Sequence, residues 1–226
     1  MVEYCCPKCH GALSRGENEM VCTNHCQTWP VLYGIPHFGD SSFYWGFVPK
    51  EQMPKVLACA EEQGWQEAVQ QVSSGRSDAS WFQSYLTDER RASWSLLAGV
   101  SDQSRVLDIG SGWGATVFGL ARIAKEVVAF DATSENLRFI DIRRTQMGMH
   151  NVHPVQGDLI FYPYLPFPDN YFDVISMVGV LEWLGDAVPD LDPTQVQIQV
   201  LDKVRAVLKP DCFAHNEVRD LGLEIK

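Results

Sequence analysis

An α/β fold built on a mainly parallel sheet, with helices on both faces, is predicted for the second half of this chain by three observations. After Ser101, short β-branched runs alternate with segments of helical periodicity, the pattern of βαβ units. A glycine-rich turn, Gly110 to Gly114, directly follows the first of those runs and opens a helical segment. The 226 residues are 46% hydrophobic, which suffices for one full α/β domain and a small accessory module.

Within the sheet-forming half, the strands are 105–109, 127–130, 152–156 and 172–177, and helices run near 116–125 and 135–147. The stretch 195–200 alternates Gln with Val or Ile as a strand would. Val196, Val200, Val204 and Val207 nevertheless continue at helical spacing to Leu208, which selects a helix. Residues 213–218 supply a fifth strand.

Two other textures precede this half. Five of the seven cysteines lie within residues 1–26, and residues 1–40 are expected to form a small metal-bound module. Residues 41–100 read as a helical connector or lid: Val56, Leu57 and Ala60 recur at helix spacing before Gly64, then Ala68, Val69 and Val72 before Ser73-Ser74-Gly75, then Phe82, Tyr85 and Leu86. Trp65, Trp81 and Trp94 read as core of that connector. Residues 101–226 form the ligand-binding domain.

Composition restricts the partners. The formal charge is −11, so the average surface repels phosphate backbones; a nucleic-acid partner is disfavoured though not excluded. Residues 1–10 are polar and cysteine-bearing where a secretory leader needs an apolar core, and the longest apolar run, 174–181, is too short to span a bilayer. The expected location is cytoplasmic, with no membrane contact.

The glycine turn admits two ligands. Gly110, Gly112 and Ala115 satisfy the fingerprint of a Rossmann-like dinucleotide site, and Asp131 stands where a ribose-binding acid belongs. Asp108 separates the two possibilities: it ends the first strand with a carboxylate where a diphosphate would have to sit, at Coulombic cost in a poorly hydrated crevice. S-adenosylmethionine (SAM) carries an α-ammonium and a sulfonium instead, which that acid attracts. Asp131 can accept from both ribose hydroxyls. Asp158, in Val155-Gln156-Gly157-Asp158, ends a third strand where it can take the exocyclic amine of adenine, with Ala132 and Leu159 beside the ring. Three strand ends then bring three carboxylates to the carboxyl edge of the sheet, where open α/β folds bind ligands.

Over roughly residues 101–210 the chain resembles the class I SAM-dependent methyltransferases, through "VLDIGSGWG", "VVAFDAT", "VQGDL", "LPFPDNYFDVISMVGVLEWL" and "VLDKVRAVLKP", in that family's order. The resemblance implies a Rossmann-like domain with Asp108, Gly110, Gly112 and Trp113 around the methionine part, Asp131 and Ala132 at the ribose, Asp158 and Leu159 at adenine, and Met177 under the sulfonium. It also implies a catalytic position just beyond the fourth strand, which Glu182 occupies as candidate general base. At its carboxyl end the chain departs from the family: Asp211-Cys212 stands where two glycines are usual, and no room is left for a final antiparallel pair. A shortened domain is expected, with an exposed sheet edge open to pairing with another chain.

Cys6-Pro-Lys-Cys9 and Cys22-Thr-Asn-His-Cys26 form two ligand pairs twelve residues apart, the arrangement of a zinc ribbon. In a reducing compartment metal is favoured over disulfides, and structural zinc supplies on the order of 10–16 kcal/mol to a segment too short to fold on its own core. Cys6, Cys9 and Cys22 are three of the ligands. His25 and Cys26 both reach the fourth position, and Cys26 is preferred as the tighter donor. With Trp29-Pro30-Val31 and Gly34-Ile35-Pro36 following, the module resembles Trm112-like zinc ribbons. A likeness to methyltransferases of ribosomal RNA guanine ends by Gln27.

The resulting expectation is a zinc-bearing SAM-dependent methyltransferase with a small-molecule or sugar-like acceptor. An RNA methyltransferase is the nearest alternative. A catalytically silent partner subunit of the same fold and an NAD-dependent oxidoreductase are the rivals from other classes.

Overall fold

The computed structural model describes residues 2–40, 42–184 and 191–217. Four short strands open the chain: β1 (Leu13–Arg15), β2 (Glu19–Cys22), β3 (Thr28–Leu32) and β4 (Ile35–Phe38), each antiparallel to the one before. Three helices follow, α1 (Met53–Gln63), α2 (Trp65–Ser73) and α3 (Ala79–Thr87), then a 3-10 segment at Glu89–Leu96. Their buried residues, Val56, Ala60, Ala68, Val69, Phe82 and Leu86, recur at the spacing of one helix face. Trp81 departs from the expected core role: it is 53% exposed and stacks on Tyr85 at the surface.

The remainder alternates strand and helix: β5 (Arg105–Ile109), α4 (Ala115–Ala121), β6 (Glu126–Asp131), α5 (Ser134–Gln146), β7 (Val152–Gly157) and β8 (Phe172–Val178), then α6 (Leu181–Leu184), α7 (Pro193–Val207) and β9 (Leu208–Glu217). All six residues of β6 and four of the five in β5 are buried, as strands covered on both faces require. The Gln/Val stretch is helical for a local reason. Asp192 caps the first turn of α7, accepting from Thr194 N–H at 2.8 Å and Gln195 N–H at 3.2 Å, and Pro193 supplies a preset first residue.

The strands form one sheet in the order β1-β2-β3-β4-β7-β6-β5-β8-β9, parallel from β4 through β9. The expected α/β architecture is therefore observed, with the amino-terminal strands joined to it rather than standing apart. β4 pairs with β7 through His37 to Gln156 and Phe38 to Gly157. All four β4 residues are buried, and the strand satisfies backbone groups that an uncovered β7 would leave unpaired. The core is shared accordingly: Trp29 and Val31 belong to the same apolar cluster as Val128, Phe130 and Phe167.

A second tie joins the helical segment to the sheet. Arg143, on α5, is fully buried with its guanidinium over the rings of Trp65 and Phe118. It donates to the Thr87 carbonyl and to Glu89 at 3.2 Å. The fifth strand is longer than the sequence pattern suggests. It begins at Leu208, opposite Phe172, and an irregularity in the β8 register opposite Phe172 and Val174 precedes the regular pairing from Phe213 on. Val218, and the chain end at which an open sheet edge was expected, lie outside the described residues.

Candidate functional site

Parallel strands that end together leave their last residues around one crevice, and the turns that follow decide its shape. Gly110 (φ 72°) leaves β5 in a conformation that side chains rarely adopt, and a Cβ there would lie 2.4 Å from Val180 Cγ2. The chain then turns tightly back onto β6: Gly110 N–H donates to the Phe130 carbonyl at 2.8 Å, and Ser111 Oγ to the Asp108 carbonyl at 2.7 Å. α4 starts after Gly114 (φ 85°), where a Cβ would meet the Phe118 ring at 2.6 Å.

A cavity of about 460 Å³ opens above these turns. Among the residues expected from the sequence, Asp108, Gly110, Gly112, Trp113, Asp131, Ala132, Asp158 and Leu159 all line it. Asp131 joins its two rims, accepting from Gly112 N–H and Thr133 N–H at 2.8 Å each and from the Asn136 amide at 3.5 Å. Asp158 Oδ1 accepts from Ile160 N–H at 2.6 Å and Phe161 N–H at 2.9 Å, which shapes its own loop. Trp113 turns its ring into the core, stacked on Phe139 at 4.2 Å, and donates to Asn136 Oδ1 at 3.2 Å.

Met177 and Glu182 are not brought to this wall. Side chains alternate along a strand, so Met177 enters the buried core and Val178 turns to the cavity. On the following turn Val180, Trp183 and Leu184 share the cavity face, three and four residues apart, and Glu182 falls off it.

The electrostatics follow from burial. Desolvation pushes Asp108 up to about 7, the nearby Asp131 adding to the rise and Arg91 opposing it. Burial pushes Asp131 up to about 6 against the opposing pull of the Thr133 and Gly112 N–H groups. Both carboxyls therefore hold protons more tightly than an exposed aspartate, which a nearby cation would reverse.

Sequence reasoning read residues 41–100 as a connector or lid but assigned none of their side chains to the site. Phe43, Trp45, Phe47, Tyr85 and Arg91, all from the helical connector and the loop before it, complete the cavity. The aromatic run Phe43-Tyr44-Trp45-Gly46-Phe47 was the available signal, but aromatics packed between segments give the same pattern. Arg91 lies 4.9 Å above the Tyr85 ring. It is the one cationic side chain among the described lining residues.

The cysteines form a second centre. The Sγ atoms of Cys6, Cys9, Cys22 and Cys26 all lie within 4.8 Å of one another. Four of their separations are 3.3–3.4 Å, a few tenths below the edge of about 3.8 Å expected for a tetrahedral thiolate site with Zn–S near 2.3 Å. The donor set fits a tetrahedral thiophilic ion such as zinc. Cys26, rather than His25, completes the cluster.

Residues 106–211 match the family model described as a methyltransferase domain. The matched segment runs from β5 into β9 and carries the glycine turn and the three acids of the cavity. Among curated proteins, the uncharacterized methyltransferase YcgJ of Bacillus subtilis is 36% identical over 74 residues, 33% of this chain and 28% of that protein. The demethylmenaquinone methyltransferase of Tropheryma whipplei is 34% identical over 110 residues, 49% of this chain and 40% of that protein. Both matches thus span well under half of the relatives' own length. The crystal structure of the Bacillus subtilis YcgJ protein aligns with a TM-score of 0.44 at 29% identity, covering 54% of this chain and 49% of that one. A putative SAM-dependent methyltransferase of Methanococcus maripaludis aligns with a TM-score of 0.49 at 17% identity, covering 79% and 68%. The glycine-turn side of the cavity lies within the matched segment, whereas its aromatic wall and the four-cysteine cluster precede it. Among the described residues no helix is long and apolar enough to cross a membrane.

Proposed function

We propose that this protein is a SAM-dependent methyltransferase acting on a small-molecule acceptor. The observation that carries the reading is the convergence of Asp108, Asp131 and Asp158 on one cavity beside the glycine turn. In this reading Asp108 pairs with the α-ammonium of SAM, and the backbone of Gly110 and Gly112, with Trp113 behind it, gives close approach to the methionine part. Arg91 pairs with the α-carboxylate. Asp131 and Ala132 hold the ribose, and Asp158 and Leu159 hold adenine. Val178 and Gly179 take the position beneath the sulfonium expected for Met177.

When bound, SAM would supply an electrophilic methyl carbon whose C–S electron pair returns to sulfur as the acceptor–carbon bond forms, and an acceptor that carries a proton on its attacking atom would lose it to solvent as the products leave. The chain's own residues align the two partners and keep bulk water out, and positioning of this kind is worth about 7–11 kcal/mol. No step is assigned to Glu182, which lies off the cavity wall.

Two features oppose a dinucleotide. Asp108 would face a diphosphate, and Gly112 N–H, a donor such a ligand would need, is taken by Asp131. A small acceptor is supported by the cavity, whose volume lies in the usual range of about 300–1,000 Å³, and by the charge of −11, which opposes a nucleic acid. The demethylmenaquinone methyltransferase among the relatives bears the name of a small acceptor, in keeping with this. The four thiols would hold a structural zinc ion, which accords with a reducing, cytoplasmic setting.

Calorimetric titration tests the reading. SAM and S-adenosylhomocysteine should bind saturably and NAD should not. Asp131→Ala should weaken SAM by roughly 10- to 100-fold, since charged hydrogen bonds contribute about 1.5–3 kcal/mol. Arg91→Ala should weaken SAM but leave 5′-methylthioadenosine, which lacks the amino-acid part, unaffected. Saturable NAD binding, or an Asp131→Ala variant that binds SAM like the wild type, would count decisively against it.

A further inference from the structure

The mouth of the cavity is walled by aromatic rings that the cofactor assignment leaves unused. Trp45 and Phe47 come from the loop before α1, Tyr85 from α3 and Trp183 from α6. The centroids of Trp45 and Trp183 lie 5.2 Å apart, with planes tilted by 53°. Phe47 meets Trp45 at 5.5 Å and Tyr85 at 4.7 Å, both edge-on. Trp45 and Phe47 nonetheless remain 41% and 40% exposed, and Trp183 36%. Aromatic surface left wet in a concavity favours a ligand that covers it, and flat rings cover it best.

This wall is fixed in place by the cofactor side of the site. Trp45 N–H donates to Thr133 Oγ1 at 2.9 Å, the Thr133 hydroxyl donates back to the Trp45 carbonyl at 3.1 Å, and the Asn136 amide approaches the same carbonyl at 3.4 Å. On the other side, Val180 packs against Gly110, so the turn carrying Trp183 starts directly over the glycine turn assigned to the methionine part. A molecule lying on Trp45 and Trp183 is therefore next to the place from which a methyl group would be delivered.

Charge narrows the class further. The charged residues among the described lining are Asp108, Asp131, Asp158 and Arg91, and the SAM reading assigns each of them to a group of SAM. In that reading Asp131 and Asp158 meet neutral groups and keep their charge, so an anionic acceptor is opposed. We infer that Trp45, Phe47, Tyr85 and Trp183 form the acceptor subsite, and that the acceptor is a compound without negative charge presenting a planar aromatic or quinoid ring. This inference rests on the SAM reading above and selects within its small molecules against sugar-like acceptors.

The test is a calorimetric titration of the protein, saturated with S-adenosylhomocysteine, with 1-naphthol, its saturated analogue decahydro-1-naphthol, and methyl glucoside. The expected result is at least tenfold tighter binding of 1-naphthol than of the saturated analogue. Trp45→Ala and Trp183→Ala should each abolish most of that difference, and Trp45→Phe should retain most of it. S-adenosylhomocysteine affinity, read in the same variants, should move less than threefold and shows that they are folded. Equal affinity for the two naphthol skeletons, indifference of 1-naphthol to both alanine variants, or tighter binding of methyl glucoside would each overturn the inference. Should S-adenosylhomocysteine fail to bind the wild type, the SAM reading falls; the same titrations on the ligand-free protein still decide the aromatic wall.

Discussion

Asp108 carries the sharpest chemical expectation of any single residue. Burial pushes its carboxyl up to about 7, so the neutral form competes near neutral pH with the ionised form that an ammonium ligand needs. SAM affinity should therefore fall by up to tenfold per unit as pH is lowered from 7 to 5, because binding must first expel a proton. Asp108→Asn should bind weakly and flatten this profile; a wild-type affinity independent of pH would contradict the pairing. The same shift has a consequence for stability. A carboxyl whose pKa is raised on folding stabilises the protein below its unfolded value near 3.9, and that contribution is lost as pH rises through about 7. In thermal melts without ligand, the stability of the wild type relative to Asp108→Asn should accordingly decline between pH 5 and pH 8.

At the scale of elements, the site depends on how closely the first turn approaches the segment after β8. Gly110→Ala puts a methyl group 2.4 Å from Val180 Cγ2 in a left-handed backbone conformation, two costs that the core around α6 must absorb together. A loss of about 2–4 kcal/mol is expected in denaturant unfolding, with SAM affinity reduced as well. Gly112→Ala, at φ 52° but with nothing within 4 Å of the added carbon, should cost less, about 1–2 kcal/mol. If both variants unfold alike, steric closeness to Val180 is not what selects glycine at 110. Joining elements also explains why the connector matters. Arg143 binds Thr87 and Glu89 from beneath, and those residues precede Arg91 on the same segment, so the cavity's far wall is anchored through a buried guanidinium.

Over the whole molecule, the four-cysteine centre and the cavity are parts of one sheet. β4 lies on β7, and Gln156 bridges the two regions: its side chain accepts from Gly39 N–H at 2.9 Å and donates to the Ala132 carbonyl at 2.9 Å. Cys5 N–H donates to the Pro166 carbonyl at 3.1 Å and Tyr164 N–H to the Pro7 carbonyl at 3.2 Å, so the cysteine knuckle also holds the loop that follows Asp158. Metal analysis should give about one zinc per chain. Its removal by a chelator, verified with a zinc-sensitive dye, should lower the melting temperature by roughly 10 °C or more and weaken SAM at least tenfold. Zinc release without loss of SAM affinity would show that the ribbon and the cavity are independent.

Local pattern by itself determined the α/β class, the central strands, the helix from about 195 to Leu208, the glycine turn and the cysteine spacing, because each is written in residues adjacent in the chain or one period apart. Asp108, Asp131 and Asp158 were legible for the same reason, each lying at or within one residue of the end of a recognisable strand. Tertiary structure alone decided that β4 would complete the edge of β7 and that Arg91 and the rings of Trp45, Phe47 and Tyr85 would face those acids across the cavity. It also turned Met177 into the core and Glu182 off the wall, where one residue of phase on a strand or a short helix chooses between site and packing. The physical reason is range: periodicity fixes which face of an element is apolar, whereas the elements that meet across a cavity are selected by packing and backbone pairing between segments a hundred residues apart.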